Sequence, residues 1–206
     1  IPDGIDPVEV APLMCAGAAA YASIKKTEVQ AGDTVAIFGM GGLGQYAVQV
    51  AKLKGLRVIA VDISASKLIT AKELGADETV VADERATEHI IALGGAHGCV
   101  NFAPVIATWP IMLSACNPRA RIVLTGVPAK EMSFYTYQVV ERGLSVVGSS
   151  ASNRQEMNEL LALAANGNVK GVINAVPFDD INNALTSLIE GRVEGRTVLT
   201  MTAGDS

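Results

Sequence analysis

Thr34-Val35-Ala36-Ile37-Phe38-Gly39-Met40-Gly41-Gly42-Leu43-Gly44 is followed by a second apolar run, Leu56 to Val61, that ends in Asp62. Thr34 to Phe38 is short, apolar and partly β-branched. Leu43 to Leu53 then places apolar residues at helical spacing, so the glycines fall where a strand turns into a helix. Each glycine has a physical task at such a junction. Gly39 permits the sharp turn out of the strand, Gly41 leaves the backbone open to a pyrophosphate, and Gly44 lets the helix pack closely on the sheet. The helix start then presents unpaired N–H groups and the positive end of its dipole to the phosphates. Asp62 lies about twenty residues beyond the glycines, where a carboxylate accepts hydrogen bonds from an adenosine ribose and repels a 2′-phosphate. The cofactor expected from this pattern is NAD rather than NADP. The same carboxylate could cap the helix that begins near Ser64, and the two roles are compatible.

The surrounding composition suits that reading. At 206 residues the chain is long enough to bury a substantial core. Half of the residues are apolar but few are aromatic, as fits close packing of helices on a sheet. The formal charge of −5 comes without a basic block, which argues against nucleic acid or an anionic membrane and favours a small-molecule partner. The longest apolar stretch, Ala11 to Ile24, contains a proline and falls short of a membrane span. It follows Asp3, Asp6 and Glu9 rather than a basic region, so neither a targeting segment nor a span is expected. Cys15, Cys99 and Cys116 are widely spaced and odd in number, which gives neither a disulfide framework nor a CxxC zinc cluster and points to a reducing cytoplasm. Cys99 and Cys116 read as core residues, on an apolar strand and at a helix end.

Further along, the strand-and-helix alternation repeats. Apolar runs at Thr79 to Ala82, Cys99 to Phe102, Arg121 to Leu124 and Leu144 to Val147 read as strands, with helices over Glu84 to Leu93 and Ala107 to Cys116. Six strands with intervening helices predict an α/β fold built on a doubly wound parallel sheet. Beyond Ser150 come a helix at Arg154 to Ala165, a strand at Val172 to Val176, a helix at Asp180 to Ile189 with Asp179 as a possible cap, and a strand at Thr197 to Met201. That is more than one six-stranded unit needs. An alanine-rich helical stretch before Thr34 is also surplus.

Taken together, these residues resemble the zinc-dependent alcohol dehydrogenases of the medium-chain dehydrogenase/reductase superfamily, particularly the yeast-like tetrameric group. Ala11-Pro12-Leu13-Met14-Cys15-Ala16-Gly17-Ala18-Ala19-Ala20-Tyr21 is similar to the family helix that carries a catalytic zinc ligand. Gly39 to Gly44 with Ala47-Val48-Gln49 resembles its glycine turn, Glu73-Leu74-Gly75-Ala76-Asp77 its second unit, and Gly94-Gly95-Ala96-His97-Gly98 its loop before the fourth strand. Gly148-Ser149 with Asn153-Arg154, and later Gly195-Arg196, match its sixth strand and its last strand. The resemblance implies a Rossmann domain over residues 31–152, an inter-domain helix over 1–30, and a C-terminal segment, 153–206, returning towards a barrel-like catalytic domain. That domain, with the other zinc ligands, is missing here, so a fragment or excised domain is expected.

By the same resemblance the chain is the cofactor-binding part of an oxidoreductase that passes hydride between an alcohol or aldehyde and NAD, assisted by zinc. Gly39, Gly41, Gly42, Leu43 and Gly44 would hold the pyrophosphate, Asp62 and Lys67 the adenosine ribose, and Arg196 would also bind the pyrophosphate. Ala103, Val127 and Ser149 would lie along the nicotinamide half. Cys15 would be a zinc ligand, one of the three that such a site needs; neither His89 nor His97 is a convincing second. Lys67 reads otherwise as a solvated lysine, Arg196 as a weak surface ion-pair partner of Glu190 or Glu194, and Cys15 as a small buried cysteine. Ala19 departs from the family pattern, which usually has a threonine there approaching the nicotinamide. A homo-oligomer, dimer or tetramer, is implied, with Leu144 to Gly148 at a dimer interface. A zinc-free quinone or enoyl reductase of the same superfamily, and a non-catalytic NAD-binding module, are the competing readings.

Overall fold

A computed structural model gives the structure of residues 1–2 and 5–201. A single helical turn, α1 (Pro7–Val10), a 3₁₀ turn (Ala11–Met14) and α2 (Ala16–Lys26) precede the first strand. Six strands follow: β1 (Thr34–Phe38), β2 (Arg57–Asp62), β3 (Glu78–Val81), β4 (Ala96–Asn101), β5 (Cys116–Leu124) and β6 (Ser145–Gly148). They form one sheet in the order β3-β2-β1-β4-β5-β6, and every pair is parallel. The connecting helices are α3 (Gly44–Leu53), α4 (Ala65–Glu73), α5 (Ala86–Ala92), α6 (Thr108–Ala115) and α7 (Thr136–Arg142). This is the doubly wound sheet expected from the sequence.

Alternation along the strands explains why both faces are covered. In β1, Val35 and Ile37 belong to a core shared with α2 and α3, while Ala36 and Phe38 belong to a second core with α5 and α6. All five β1 residues are buried, so the strand reads as a continuous apolar run rather than an alternating one. Burying one such side chain as large as Phe38 contributes about 1.5–3 kcal/mol. The strand order reverses between β1 and β4, and a sheet of this kind opens a crevice at the carboxyl ends of the strands at that point.

After the sheet come α8 (Arg154–Ala165), β7 (Ile173–Pro177), α9 (Ile181–Ile189) and β8 (Arg196–Thr200). Helix α8 starts on a reciprocal cap: Asn153 Oδ1 accepts the Glu156 N–H and Glu156 Oε2 accepts the Asn153 N–H, both at 2.9 Å. β7 and β8 pair in parallel as a separate two-stranded sheet, and α9 buries none of its residues. Among the described residues no single helix is long and apolar enough to cross a membrane.

Four details differ from expectation. β5 starts at Cys116, five residues before Arg121, because Cys116 pairs with Ala96 ahead of an irregular stretch. β4 begins at Ala96, so His97 stands in a strand, its Nδ1 accepting the Thr34 N–H at 3.0 Å. Helix α7 escapes the sequence pattern since it buries no residue. Asp179 caps nothing: it lies inside a 3₁₀ turn (Phe178–Asp180), and Asp180 occupies the N-cap position of α9.

Candidate dinucleotide-binding site

The turn after β1 is built from glycines with different reasons to be glycine. Gly39 has φ +92°, and a Cβ there would lie 2.9 Å from the Ala103 nitrogen, so this turn packs directly on the segment that leaves β4. A Cβ on Gly44 would come within 2.0 Å of the Gly39 carbonyl oxygen, which fixes how tightly α3 springs from the strand. A Cβ on Gly42 would meet Arg196 Nε at 2.2 Å. At Gly41 it would meet nothing within 4 Å, so this position opens onto free space. No side chain caps α3, and Gly41, Gly42 and Leu43 line the cleft in front of it. A cradle that side chains would fill, facing an uncapped helix start, fits a pyrophosphate.

Asp62 stands at the end of β2 and is 8% exposed. Its Oδ2 accepts the Met40 N–H at 2.6 Å and its Oδ1 accepts the Ser64 N–H at 2.9 Å. Both oxygens thus clasp backbone, one in the glycine turn and one at the N-cap of α4. Each keeps a second lone pair for a hydroxyl donor. The cleft, about 290 Å³, is lined by Asp62 and Lys67 on one side and by Phe102, Ala103 and Thr108 on the other.

Four of the proposed contacts lie outside this cleft lining: Gly44, buried at the start of α3, and three residues from later in the chain. Val127 follows β5 and is 83% exposed. Ser149 follows β6 and is buried, with Lys26 Nζ donating to its hydroxyl at 3.1 Å and Ser23 Oγ at 3.2 Å; Ser23 Oγ is also hydrogen-bonded to Thr125 Oγ1 at 2.8 Å. Arg196, at the start of β8, lies against Gly42 from the C-terminal unit. Its Nε is buried with no hydrogen-bond partner among the described residues, and no ion pair with Glu190 or Glu194 forms there; Glu190 pairs with Arg192 instead.

Cys15 is exposed between the 3₁₀ turn and α2. No group of three His, Cys, Asp or Glu side chains that could hold a metal occurs among the described residues, so these residues alone do not build a zinc site. Ala19 is buried one turn into α2, its carbonyl accepting the Ser23 hydroxyl at 2.6 Å.

Sequence reasoning missed Asn101. Buried at the end of β4, it accepts the Ala103 N–H at 3.2 Å through Oδ1 and donates to the Ala103 carbonyl at 3.1 Å through Nδ2. Thr108 Oγ1 reaches the same Oδ1 at 3.3 Å. Asn101 therefore shapes the cleft wall opposite Asp62. A polar residue closing an apolar strand run was the available signal.

The fold and cleft define a Rossmann-like α/β protein. The chain belongs to the zinc-binding dehydrogenase family, which matches residues 42–166. It is 37% identical to an alcohol dehydrogenase of Moraxella sp. (strain TAE123) over 98% of its own length and 60% of that protein. The crystal structure of the alcohol dehydrogenase from Aeropyrum pernix superposes with a TM-score of 0.90 at 34% identity, covering 97% of this chain and 60% of that one. The acetophenone reductase from Geotrichum candidum NBRC 4597, solved in complex with NAD, gives a TM-score of 0.87 at 25% identity, over 97% and 57% of the two chains. The chain thus spans about 60% of the length of the curated relatives it matches.

Proposed function

We propose that this chain is the NAD-binding portion of a zinc-assisted alcohol dehydrogenase, an oxidoreductase that transfers hydride between an alcohol or aldehyde and NAD(H). The observation that carries the reading is the pairing of a buried Asp62 with the open face of Gly41 across one cleft. Gly39 to Gly44 and the α3 start hold the pyrophosphate, with Arg196 supplying its unpartnered Nε from behind Gly42. Asp62 and Lys67 bind the adenosine ribose. Ala103, Val127 and Ser149 border the nicotinamide side, towards which β4, β5 and β6 all end.

Residues 31–152 form the NAD-binding unit in this reading, 1–30 the inter-domain helix, and 153–206 the segment that returns to a catalytic domain. The unburied face of α9, with Leu188 and Ile189 exposed, supports a covering partner there. Cys15 would supply one zinc ligand of a site completed by other residues, and zinc held there would provide Lewis-acid chemistry towards an alcohol oxygen. The open edge of β6 supports a homo-oligomer, dimer or tetramer, and free cysteines fit the cytoplasm.

Calorimetric titration of the chain with NADH and NADPH tests the cofactor assignment, with NADH the tighter ligand; equal affinities would sink it. A polypeptide of the relatives' full length should contain zinc and form NADH from alcohol, and Cys15→Ala should abolish both. Turnover without zinc would favour a zinc-free reductase of the same superfamily.

A further inference from the structure

Cys99 and Cys116 take no part in the cleft. Cys99 lies in the middle of β4 and Cys116 opens β5, and both are buried in the core beneath α5 and α6. Their Sγ atoms are 3.2 Å apart. Strand register alone does not bring them together, since Cys99 is opposite Ile122 and Cys116 is opposite Ala96. Between the pairs Ala96↔Cys116 and Gly98↔Arg121 the two strands advance unequally, and the surplus of β5 is taken up at Asn117, Pro118 and Arg119. Arg119 carries φ +66°, a left-handed conformation that a residue of its kind adopts only when its surroundings impose it. The irregular stretch keeps Cys116 beside β4, with its thiol against that of Cys99.

A disulfide holds its sulfurs about 2.05 Å apart, so closure requires the two Sγ atoms to approach by about 1.1 Å. We propose that Cys99 and Cys116 form an intrachain disulfide when the chain meets a peroxide. One thiol, ionised, attacks a peroxide oxygen; the O–O bond breaks, and a sulfenic acid and water result. The second thiol attacks the sulfenic sulfur, the S–S bond forms, the S–O bond breaks and a second water leaves. Two thiols are oxidised and one hydrogen peroxide is reduced. The hydrogen bond with Cys116, together with burial, holds the Cys99 thiol protonated well above the usual range, so the closed core reacts slowly and local opening sets the rate. The linkage would span α6, which carries Thr108 of the cleft wall, yet it does not depend on what the cleft binds.

The test treats the whole chain with graded hydrogen peroxide, with and without urea below the unfolding transition, then alkylates under denaturing conditions and maps the cysteines by mass spectrometry. The expected product joins the peptides of Cys99 and Cys116, is lighter by two hydrogens, forms faster in sub-denaturing urea, and reverts with a thiol reductant. In folded Cys116→Ala, Cys99 should instead accumulate as a sulfenic acid trapped by dimedone. Recovery of both residues as free thiols at every urea concentration, their separate conversion to sulfinic acids, or a cross-link of either to Cys15 would overturn the proposal. The wild-type map decides the matter even where the variant does not fold.

Discussion

Asp62 Oδ2 accepts the Met40 N–H at 2.6 Å, so the carboxylate at the end of β2 holds the turn that follows β1. One side chain thereby shapes the glycine turn and also lines the cleft. Asp62→Asn keeps the shape but turns an amide NH₂ towards one of the two backbone N–H groups, the buried one of Met40 or the part-buried one of Ser64. Stability should fall by about 1–3 kcal/mol, the cost of leaving a buried donor unsatisfied. NADH affinity should fall as well, and the ratio of NADH to NADPH affinity should move towards one. A lowered unfolding midpoint with an unchanged ratio would leave Asp62 as a clasp of the turn and nothing more.

Gly41 and Gly44 lie three residues apart and should respond differently to a side chain. Gly41 does not adopt positive φ and faces open space, so Gly41→Val should keep stability within about 0.5 kcal/mol while NADH binding is lost. Gly44→Ala drives a methyl into the Gly39 carbonyl and should cost about 1–3 kcal/mol of stability. Denaturant melts and NADH titrations on the two variants separate the effects. Normal binding by Gly41→Val would displace the phosphate from this loop.

Arg196 offers a buried Nε with no partner among the described residues, packed on Gly42. Arg196→Met should weaken NADH and NADPH alike by about tenfold, the scale of one charge-assisted hydrogen bond. Its unfolding midpoint should hardly change. Unaltered dissociation constants in calorimetry would reduce the arginine to packing.

Asp77 ties α3 and β2 to the entry of β3: its Oδ2 accepts from Lys52 Nζ and from the Val58 N–H, each at 2.7 Å. Burial pushes its carboxyl up, but the Lys52 ammonium and the Val58 N–H outweigh burial and hold it below the ordinary value of 3.8. A carboxyl whose pKa is lower folded than unfolded contributes stability above the unfolded value and loses it as pH falls through the folded one. Lys52→Met should therefore cost under about 1 kcal/mol near neutrality, since the pair is partly exposed and screened. The gap between wild type and variant should stay level down to about pH 4 and close below it. Urea melts across that range check it, and a gap independent of pH would exclude the ion pair as its source.

Much of the architecture was readable because it is written in local periodicity. Thr34 to Phe38 is uninterrupted and apolar, and α8 announces itself by Asn153 and Glu156. Elements whose sequence does not report their burial were missed. Helix α7 buries nothing, and the first turn of β5 passes through Asn117, Pro118 and Arg119, which read as a loop. The acid opposite the glycines was visible in the sequence, whereas Asn101 on the facing wall showed there only as a polar residue closing an apolar run, since its partners depend on how β4 ends against α6.

The sequence by itself determined the order of strands and helices, the glycine turn and the acid beyond it, because these follow from side-chain periodicity and from backbone freedom at single residues. Only the tertiary structure decided that Asp62 clasps Met40, that Arg196 reaches Gly42 across 154 positions of chain, and that two buried thiols stand 3.2 Å apart. Those contacts are set by sheet order, a register shift in β5 and the docking of β8 against the glycine turn and the 3₁₀ turn at Ala11–Met14. Each arises from packing between distant segments, for which no local pattern carries a signal.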